Sequence, residues 1–153
     1  MVELYLDDLR VGQRHGTGEA EVTAAAIKAF AAAFDPQAFH LDEAEAEASV
    51  FHGLVASGWH TAAISMRLLV DGGLPFAGGS VGLGGEIEWP RPTRPGDRLR
   101  VESEIVEIIA SRSKPWQGIA RVRNVTLNQR NEVVQVFTAK ILVFRRGEAP
   151  PQA

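Results

Sequence analysis

The sequence predicts an α+β domain in which a strongly curved antiparallel sheet wraps around one long apolar helix. Two changes of pattern along the chain predict this arrangement. The apolar residues follow a helical period in the first half, and from residue 80 they follow a period of two, which is typical of consecutive strands. Residues 53–66 contain no Lys, Arg, Asp or Glu, as in a buried helix. Strands that follow one another after helices form an antiparallel sheet, and a single sheet surrounds a helix only if it curls.

The composition is that of an ordinary water-soluble domain. The 153 residues are enough for one domain with a sizeable core. A net charge of -3 gives no reason to expect a nucleic acid or an anionic membrane as a partner. The absence of cysteine excludes disulfides, thiolate metal sites and a cysteine nucleophile.

The two ends of the sequence give further expectations. The N-terminal residues lack the basic and apolar regions of a signal peptide. The uncharged segment is shorter than the roughly 20 residues that span a bilayer. We therefore expect a cytoplasmic protein. We expect one domain over residues 1–147 and a disordered tail, rich in Pro, Gln and Ala, over residues 148–153.

The first elements are a weak strand and three helices. Residues 13–22 form the weak strand, and Thr23 is placed to cap a helix whose apolar face is formed by Ile27, Phe30 and Phe34. Pro36 ends this helix, because the residue before a proline avoids the α region. Asp42 and Glu45 resemble a capping box at the start of a short helix that ends near Ser49. The long apolar helix begins at Gly53 and stops at the Asp-Gly-Gly sequence of residues 71–73.

Four strands follow, over residues 80–89, 98–109, 116–127 and 132–144. The proline-rich residues 90–97 cannot continue a strand and form a loop. Glycines 82, 84 and 85 do not form a dinucleotide-binding motif, because they lie within a strand and no helix follows them. They permit bending of the strand or the close approach of a ligand.

Asp35 and His40 form a candidate acid–base pair. They lie five positions apart in a predicted loop, next to the uncharged helix. Spacing alone favours a simpler interpretation, in which Asp35 is a turn residue at the end of a helix and His40 is a surface histidine. His52 and His60 have no third residue at a suitable spacing for a metal site. His60 is expected in the core or at an interface.

Three segments carry a resemblance to a known family. They are Phe-Asp-Pro-Gln-Ala-Phe-His at residues 34–40, His-Gly-Leu-Val-Ala-Ser-Gly at residues 52–58, and Ile-Glu-Trp-Pro-Arg-Pro-Thr-Arg-Pro-Gly-Asp at residues 87–97. Over about residues 20–145 the chain resembles the MaoC-like dehydratases, hotdog-fold enzymes related to R-specific enoyl-CoA hydratases. The family usually has Asn-Pro between its Asp and His, and this chain has Gln37 and Ala38.

The resemblance implies reversible hydration of an acyl thioester, from a 2-enoyl-CoA to a 3-hydroxyacyl-CoA. Asp35 and His40 would activate the water, and the free amide of Gly53 at the helix start would bind the thioester oxygen. The substrate-binding residues would be Gln37, Phe39, Leu54 and Thr61. Thr61 matches a family serine, although a threonine bonded to its own helix explains it equally well. Coenzyme A enters as part of the substrate, and no metal or other cofactor is expected.

The resemblance also implies a homodimer, or a larger assembly of dimers, whose sheets join edge to edge with the acyl channel between the subunits. Two other functions remain open. A hotdog thioesterase would favour a carboxylate on the central helix, and residues 53–66 contain none. A non-catalytic acyl-CoA-binding or assembly module remains an alternative because of Gln37 and Ala38.

Overall fold

Six antiparallel strands form a sheet in the structure, a computed structural model that describes residues 2–147. The strands are β1 (Arg14–Gly16), β2 (Ala20–Glu21), β3 (Val81–Glu88), β4 (Arg98–Ala110), β5 (Gln117–Leu127) and β6 (Val133–Phe144). Their order across the sheet is β1-β4-β5-β6-β3, and β2 pairs with β4 beside this path. The α+β prediction is therefore confirmed. The predicted tail, residues 148–153, lies outside the described residues.

The four helices lie between β2 and β3 in the chain. They are α1 (Ala24–Phe34), α2 (Ala38–Leu41), α3 (Glu43–Glu47) and α4 (Gly58–Gly72). The Thr23 hydroxyl accepts a hydrogen bond from the Ala26 amide at 3.1 Å, so Thr23 caps α1 as predicted. The Asp42 carboxylate accepts one from the Glu45 amide at 2.9 Å and caps α3. No helix within residues 2–147 has both the length and the apolar character needed to cross a membrane.

The predicted start of the central helix at Gly53 is wrong, because α4 begins at Gly58. His52 and Gly53 have φ angles of 53° and 153°, which a helix does not allow. The Ala56 amide donates to the Thr93 carbonyl at 2.9 Å, which ties this segment to the loop after β3. The Ser57 hydroxyl then accepts from the Trp59 amide at 3.3 Å and caps α4.

The prediction of a buried central helix holds for one face of α4 only. Its inner face is buried and carries His60, Thr61, Ser65 and Leu68. Trp59, Met66 and Val70 are exposed on its other side, with 60%, 42% and 70% of their surface accessible. One face of α4 thus packs on the sheet, and an apolar face remains open.

The first predicted strand is divided, since residues 13–22 contain two short strands, β1 and β2. In β3 the register shifts between Gly82 and Gly84, and Gly84 has a φ of 132°. The glycines therefore bend β3, in agreement with the sequence. Among residues 2–147, β3 pairs with β6 alone and is an edge strand.

Two apolar clusters form the core. One contains Ile105 and Val122 together with the apolar residues before β1 and after α4, and the other contains Val101, Ile27 and Leu68. Between them in the strand register lies a polar pair, Ser103 of β4 opposite Asn124 of β5.

Candidate active site

The end of α1 and the short helix α2 bring Asp35 and His40 together. Asp35 follows the last residue of α1, and its amide still donates to the Ala31 carbonyl at 2.8 Å. Pro36 prevents the helix from continuing, and α2 then returns His40 toward Asp35. Nε2 of His40 lies 3.2 Å from Oδ2 of Asp35. The His40 side chain is 6% exposed and that of Asp35 is 19% exposed, so the pair is largely shielded from solvent.

The contacts of His40 determine where its protons lie. Nδ1 is 2.6 Å from the Val55 carbonyl oxygen, which can only accept, so Nδ1 carries a proton. Nε2 is left facing the Asp35 carboxylate, 3.2 Å from Oδ2, where it can exchange a proton with that carboxylate.

The Asp35 carboxyl is held in its ionised form. The hydrogen bond from the Ser57 hydroxyl is the largest cause that lowers its pKa. Burial opposes this effect, and hydrogen bonds from Gln37 and His40 add to it. Nε2 of Gln37 donates to Oδ1 of Asp35 at 2.6 Å. Asp35 is consequently a carboxylate near neutral pH.

A pocket of about 420 Å³ surrounds this pair; we call it the site pocket. Gln37, Phe39 and Thr61, which the family resemblance suggested as substrate-binding residues, line it. The Thr61 hydroxyl donates to the Thr93 hydroxyl at 2.9 Å, so its hydrogen bond joins α4 to the loop after β3 and not to its own helix.

Gly53 and Leu54 do not line the site pocket. The Gly53 amide donates to the Ala46 carbonyl at 3.1 Å, so it is not a free helix-start amide. Leu54 is 6% exposed and packs in an apolar core cluster. The first residue of α4 is instead Gly58, which lines the site pocket, and within residues 2–147 its N–H has no acceptor.

Several residues that line the site pocket were not assigned to the site from the sequence, among them Ser57, Gly58, Trp59, Trp89 and Thr93. Ser57 had a local signal, because a serine before a helical glycine is a typical cap. Trp59 and Trp89 contact each other edge to face, with ring centroids 5.2 Å apart. This contact joins α4 to the end of β3 and could not be read from either local segment.

A second cavity, of about 470 Å³, adjoins Trp59; we call it the inner cavity. It is lined by α4, by residues of β3, β4, β5 and β6, and by Leu74 and Phe76. Trp59 also lines the site pocket and is therefore a wall common to both cavities.

The remaining histidines do not form a metal site. Among residues 2–147 no group of three or more His, Asp or Glu side chains is arranged to hold a metal ion. His60 is 8% exposed and stacks on Phe30, with ring centroids 4.8 Å apart. It is a core histidine, in line with the sequence.

Comparisons with known proteins identify the family of the chain. The family model described as MaoC like domain matches residues 9–128. A MaoC-like dehydratase from Rhodospirillum rubrum is 58% identical, with a TM-score of 0.93 over 95% of this chain and 99% of that one. YdeM of Bacillus subtilis is 35% identical over 145 residues, 92% of this chain and 98% of that protein. The R-hydratase PhaJ1 from Pseudomonas aeruginosa is 25% identical, with a TM-score of 0.75 over 99% of this chain and 96% of that one.

Proposed function

Because the chain belongs to the MaoC-like domain family, we propose that it adds water reversibly to a 2-enoyl thioester of coenzyme A and forms a 3-hydroxyacyl thioester. The contact of 3.2 Å between His40 and Asp35 inside the site pocket carries this proposal. The similarity to an R-hydratase supports the same type of reaction.

The pair supplies both proton transfers of the reaction. The Asp35 carboxylate takes a proton from water as the water oxygen bonds to the β-carbon. Nε2 of His40 gives its proton to the α-carbon. The proton taken by Asp35 then passes to Nε2 across the contact between the two side chains, which restores the starting state. Dehydration follows the same steps in reverse.

The thioester oxygen gains negative charge during water addition and needs a hydrogen-bond donor. The unpaired N–H of Gly58 suits this role, since it lies in the site pocket at the start of the 15-residue helix α4. The positive end of the helix dipole favours an anion at this position. We therefore assign to Gly58 the role that the sequence suggested for Gly53.

One substrate molecule occupies both cavities. The reacting thioester lies beside Asp35 and His40, and coenzyme A extends from the mouth of the site pocket. The acyl tail passes Trp59 and enters the inner cavity, whose lining is mostly apolar.

A second copy of the chain covers the open face, defined by Trp59, Met66 and Val70 of α4 and by Val81 and Leu83 of β3. All five are exposed apolar residues. β3 is also an edge strand whose outer hydrogen-bonding groups have no strand partner within residues 2–147. Edges and apolar faces of this kind are normally covered. A two-fold dimer would cover both and give two equivalent sites.

Incubation with crotonyl-CoA tests the proposed function. Loss of the enoyl absorbance without release of free thiol supports hydration. Release of thiol would instead identify a thioesterase, although the sole carboxylate of α4, Asp71, lines neither cavity and pairs with Arg67 at 2.7 Å. If crotonyl-CoA and longer 2-enoyl-CoA substrates remain unchanged, the proposal is contradicted and a binding or assembly role takes its place.

A further inference from the structure

The inner cavity contains polar groups that a plain hydrocarbon tail does not need. Most of its lining is apolar, but Ser65, Ser103, Asn124 and Gln135 also line it. All four are at most 6% exposed. Among the residues that the structure describes, no Lys, Arg, Asp, Glu or His lines it. The cavity is thus uncharged, with a small number of buried hydroxyl and amide groups.

These groups form a band across the inner face of the sheet. Ser103 pairs in register with Asn124, and in the next row Thr126 pairs with Gln135. The band lies beside Ile105 of one apolar cluster and Val101 of the other, and it separates the two. Apolar side chains at these positions would join the clusters into one core, so stability alone does not explain the band.

Hydrogen bonding orients the Gln135 amide. Nε1 of Trp89 donates to Oε1 of Gln135 at 3.0 Å. The indole can only donate, so the oxygen of Gln135 faces Trp89 and the NH₂ group is left for another acceptor. Within residues 2–147 no acceptor contacts that NH₂ group, and it is not among the fully enclosed polar atoms without a partner. It therefore opens into the inner cavity that Gln135 lines.

Asn124 has the same arrangement. Its Oδ1 accepts from the Ser103 hydroxyl at 2.6 Å, and its NH₂ group has no acceptor in the part of the chain that the structure describes. Ser65 differs, because its hydroxyl already bonds to Thr61 and Thr126. Two buried amide groups thus present unused donors to one cavity. A buried donor without an acceptor is costly, unless a ligand supplies one.

We propose that the inner cavity selects acyl tails that carry a neutral oxygen acceptor, such as a hydroxyl, carbonyl or ether oxygen. This inference rests on the proposed function for the placement of the acyl tail. The oxygen accepts from the NH₂ groups of Gln135 and Asn124 while the surrounding apolar residues contact the rest of the tail. An ionised carboxylate does not suit the cavity, since its lining provides no cation to balance the buried charge.

The test compares pairs of acyl-CoA compounds of equal length. One member of each pair has a plain hydrocarbon tail. In the other member an ether or keto group replaces one methylene, and its position along the tail differs from pair to pair. Binding of saturated pairs, measured by calorimetry, does not depend on catalysis. Hydration of the matching 2-enoyl pairs gives the ratio of their kcat/KM values. At one position the oxygen-containing tail should be preferred about threefold to tenfold in both measurements, the effect of one or two neutral hydrogen bonds. A carboxylate-terminated tail should bind more weakly than either.

Gln135→Met and Asn124→Leu remove one pair of donors each at similar volume. In each variant the ratio of the oxygen-containing tail to the plain tail, in binding and in kcat/KM, should fall toward one, which means no preference. Gln117→Met is the control, because Gln117 is a partly buried glutamine of β5 that lines none of the cavities. Each preference is a ratio of two values measured on the same protein preparation. A smaller fraction of folded protein changes both values by the same factor and leaves the ratio unchanged.

The outcomes separate this inference from the proposed function. Hydration of plain tails with no preference for oxygen at any position would overturn the inference and leave the function intact. A preference for oxygen in binding without any hydration would support the inference and contradict the function. If no saturated tail binds, the inference is overturned.

Discussion

The indole ring of Trp89 lies directly against the α-carbon of Gly58. A β-carbon at Gly58 would come within 2.7 Å of Cε2 and 2.8 Å of Cδ2 of the Trp89 ring. Trp89 in turn donates to Gln135 at the inner cavity. The absence of a side chain at Gly58 therefore fixes the start of α4, the wall of the site pocket and one contact of the inner cavity together.

Gly58→Ala should lower both stability and kcat. Alanine in place of glycine normally stabilises a helix by about 1 kcal/mol. Here the β-carbon displaces Trp89, and overpacking of this kind costs about 1–3 kcal/mol. Displacement of Trp89 also moves the wall next to the proposed Gly58 donor. Thermal unfolding and steady-state kinetics measure the two effects, and unchanged kcat with a fully folded variant would contradict the placement of the donor.

Gly53→Ala is the matched comparison. Its φ of 153° disfavours any side chain, so stability should fall by about 1–3 kcal/mol. Its kcat should stay near the wild-type value, because Gly53 does not line the site pocket and its amide is bonded to Ala46. A large loss of kcat in Gly53→Ala, with Gly58→Ala unaffected, would return the oxyanion role to Gly53.

Ser57→Ala should move the acidic limb of the kcat/KM profile to higher pH. The Ser57 hydrogen bond is the largest cause that holds the pKa of Asp35 below its ordinary value of 3.8. Without it, the carboxylate is protonated, and the base lost, at a higher pH than in the wild type. The kcat/KM profile of the free enzyme measures this shift.

Thr23→Ala provides the control for this experiment. Thr23 and Ser57 both cap helices, so each variant should lose about 1 kcal/mol of stability. Only Ser57→Ala should shift the acidic limb. An equal shift in both variants would mean that capping, and not the contact with Asp35, determines the profile.

The sequence located the sheet and α1 well because both follow regular apolar patterns. The predicted bounds of β3 to β6 differ from the observed ones by one residue or less at each end. The start of α4 was misplaced because residues 53–57 are uncharged like the helix itself. Their backbone is held by distant partners, Ala46 and Thr93, that no local pattern indicates.

The site was predicted in part for the same reason. Asp35, His40 and Gln37 lie in one short segment, so their proximity followed from spacing. Trp89 reaches them from the end of β3, and its packing on Gly58 depends on how β3 lies beside α4. Contacts between remote elements of this kind require the three-dimensional fold.

His60 should make stability depend on pH in mildly acidic solution. Burial lowers the pKa of its imidazole from the ordinary value of 6.5, and its enclosed Nδ1 has no hydrogen-bond partner among residues 2–147. As the pH falls below 6.5, the unfolded chain binds a proton that the folded state resists, so the free energy of unfolding decreases. His60→Phe keeps a ring against Phe30 and removes the titration. Denaturant unfolding at several pH values should show a weaker dependence in this variant, and an identical dependence would show that other groups cause it.

Leu83→Asp should dissociate the proposed dimer. Leu83 is 52% exposed on the edge strand β3, and a charge there would be buried between two copies of the open face. Sedimentation equilibrium at micromolar concentration should give twice the chain mass for the wild type and the chain mass for the variant. Val11→Asp is the control, since Val11 is 65% exposed in a turn outside the open face. A compact and active wild-type monomer would contradict the dimer.

The most direct test of the central claim is a double-mutant cycle on Asp35 and His40. The claim is that these two residues act as one unit in the two linked proton transfers of water addition. We expect Asp35→Asn and His40→Gln each to lower kcat for hydration of a 2-enoyl-CoA by about 10²–10⁴, because each removes one of two linked proton transfers. The double variant should be barely slower than either single one, since residues that act together are not additive. Losses of kcat that add in full, or near-normal turnover in either folded single variant, would contradict the claim.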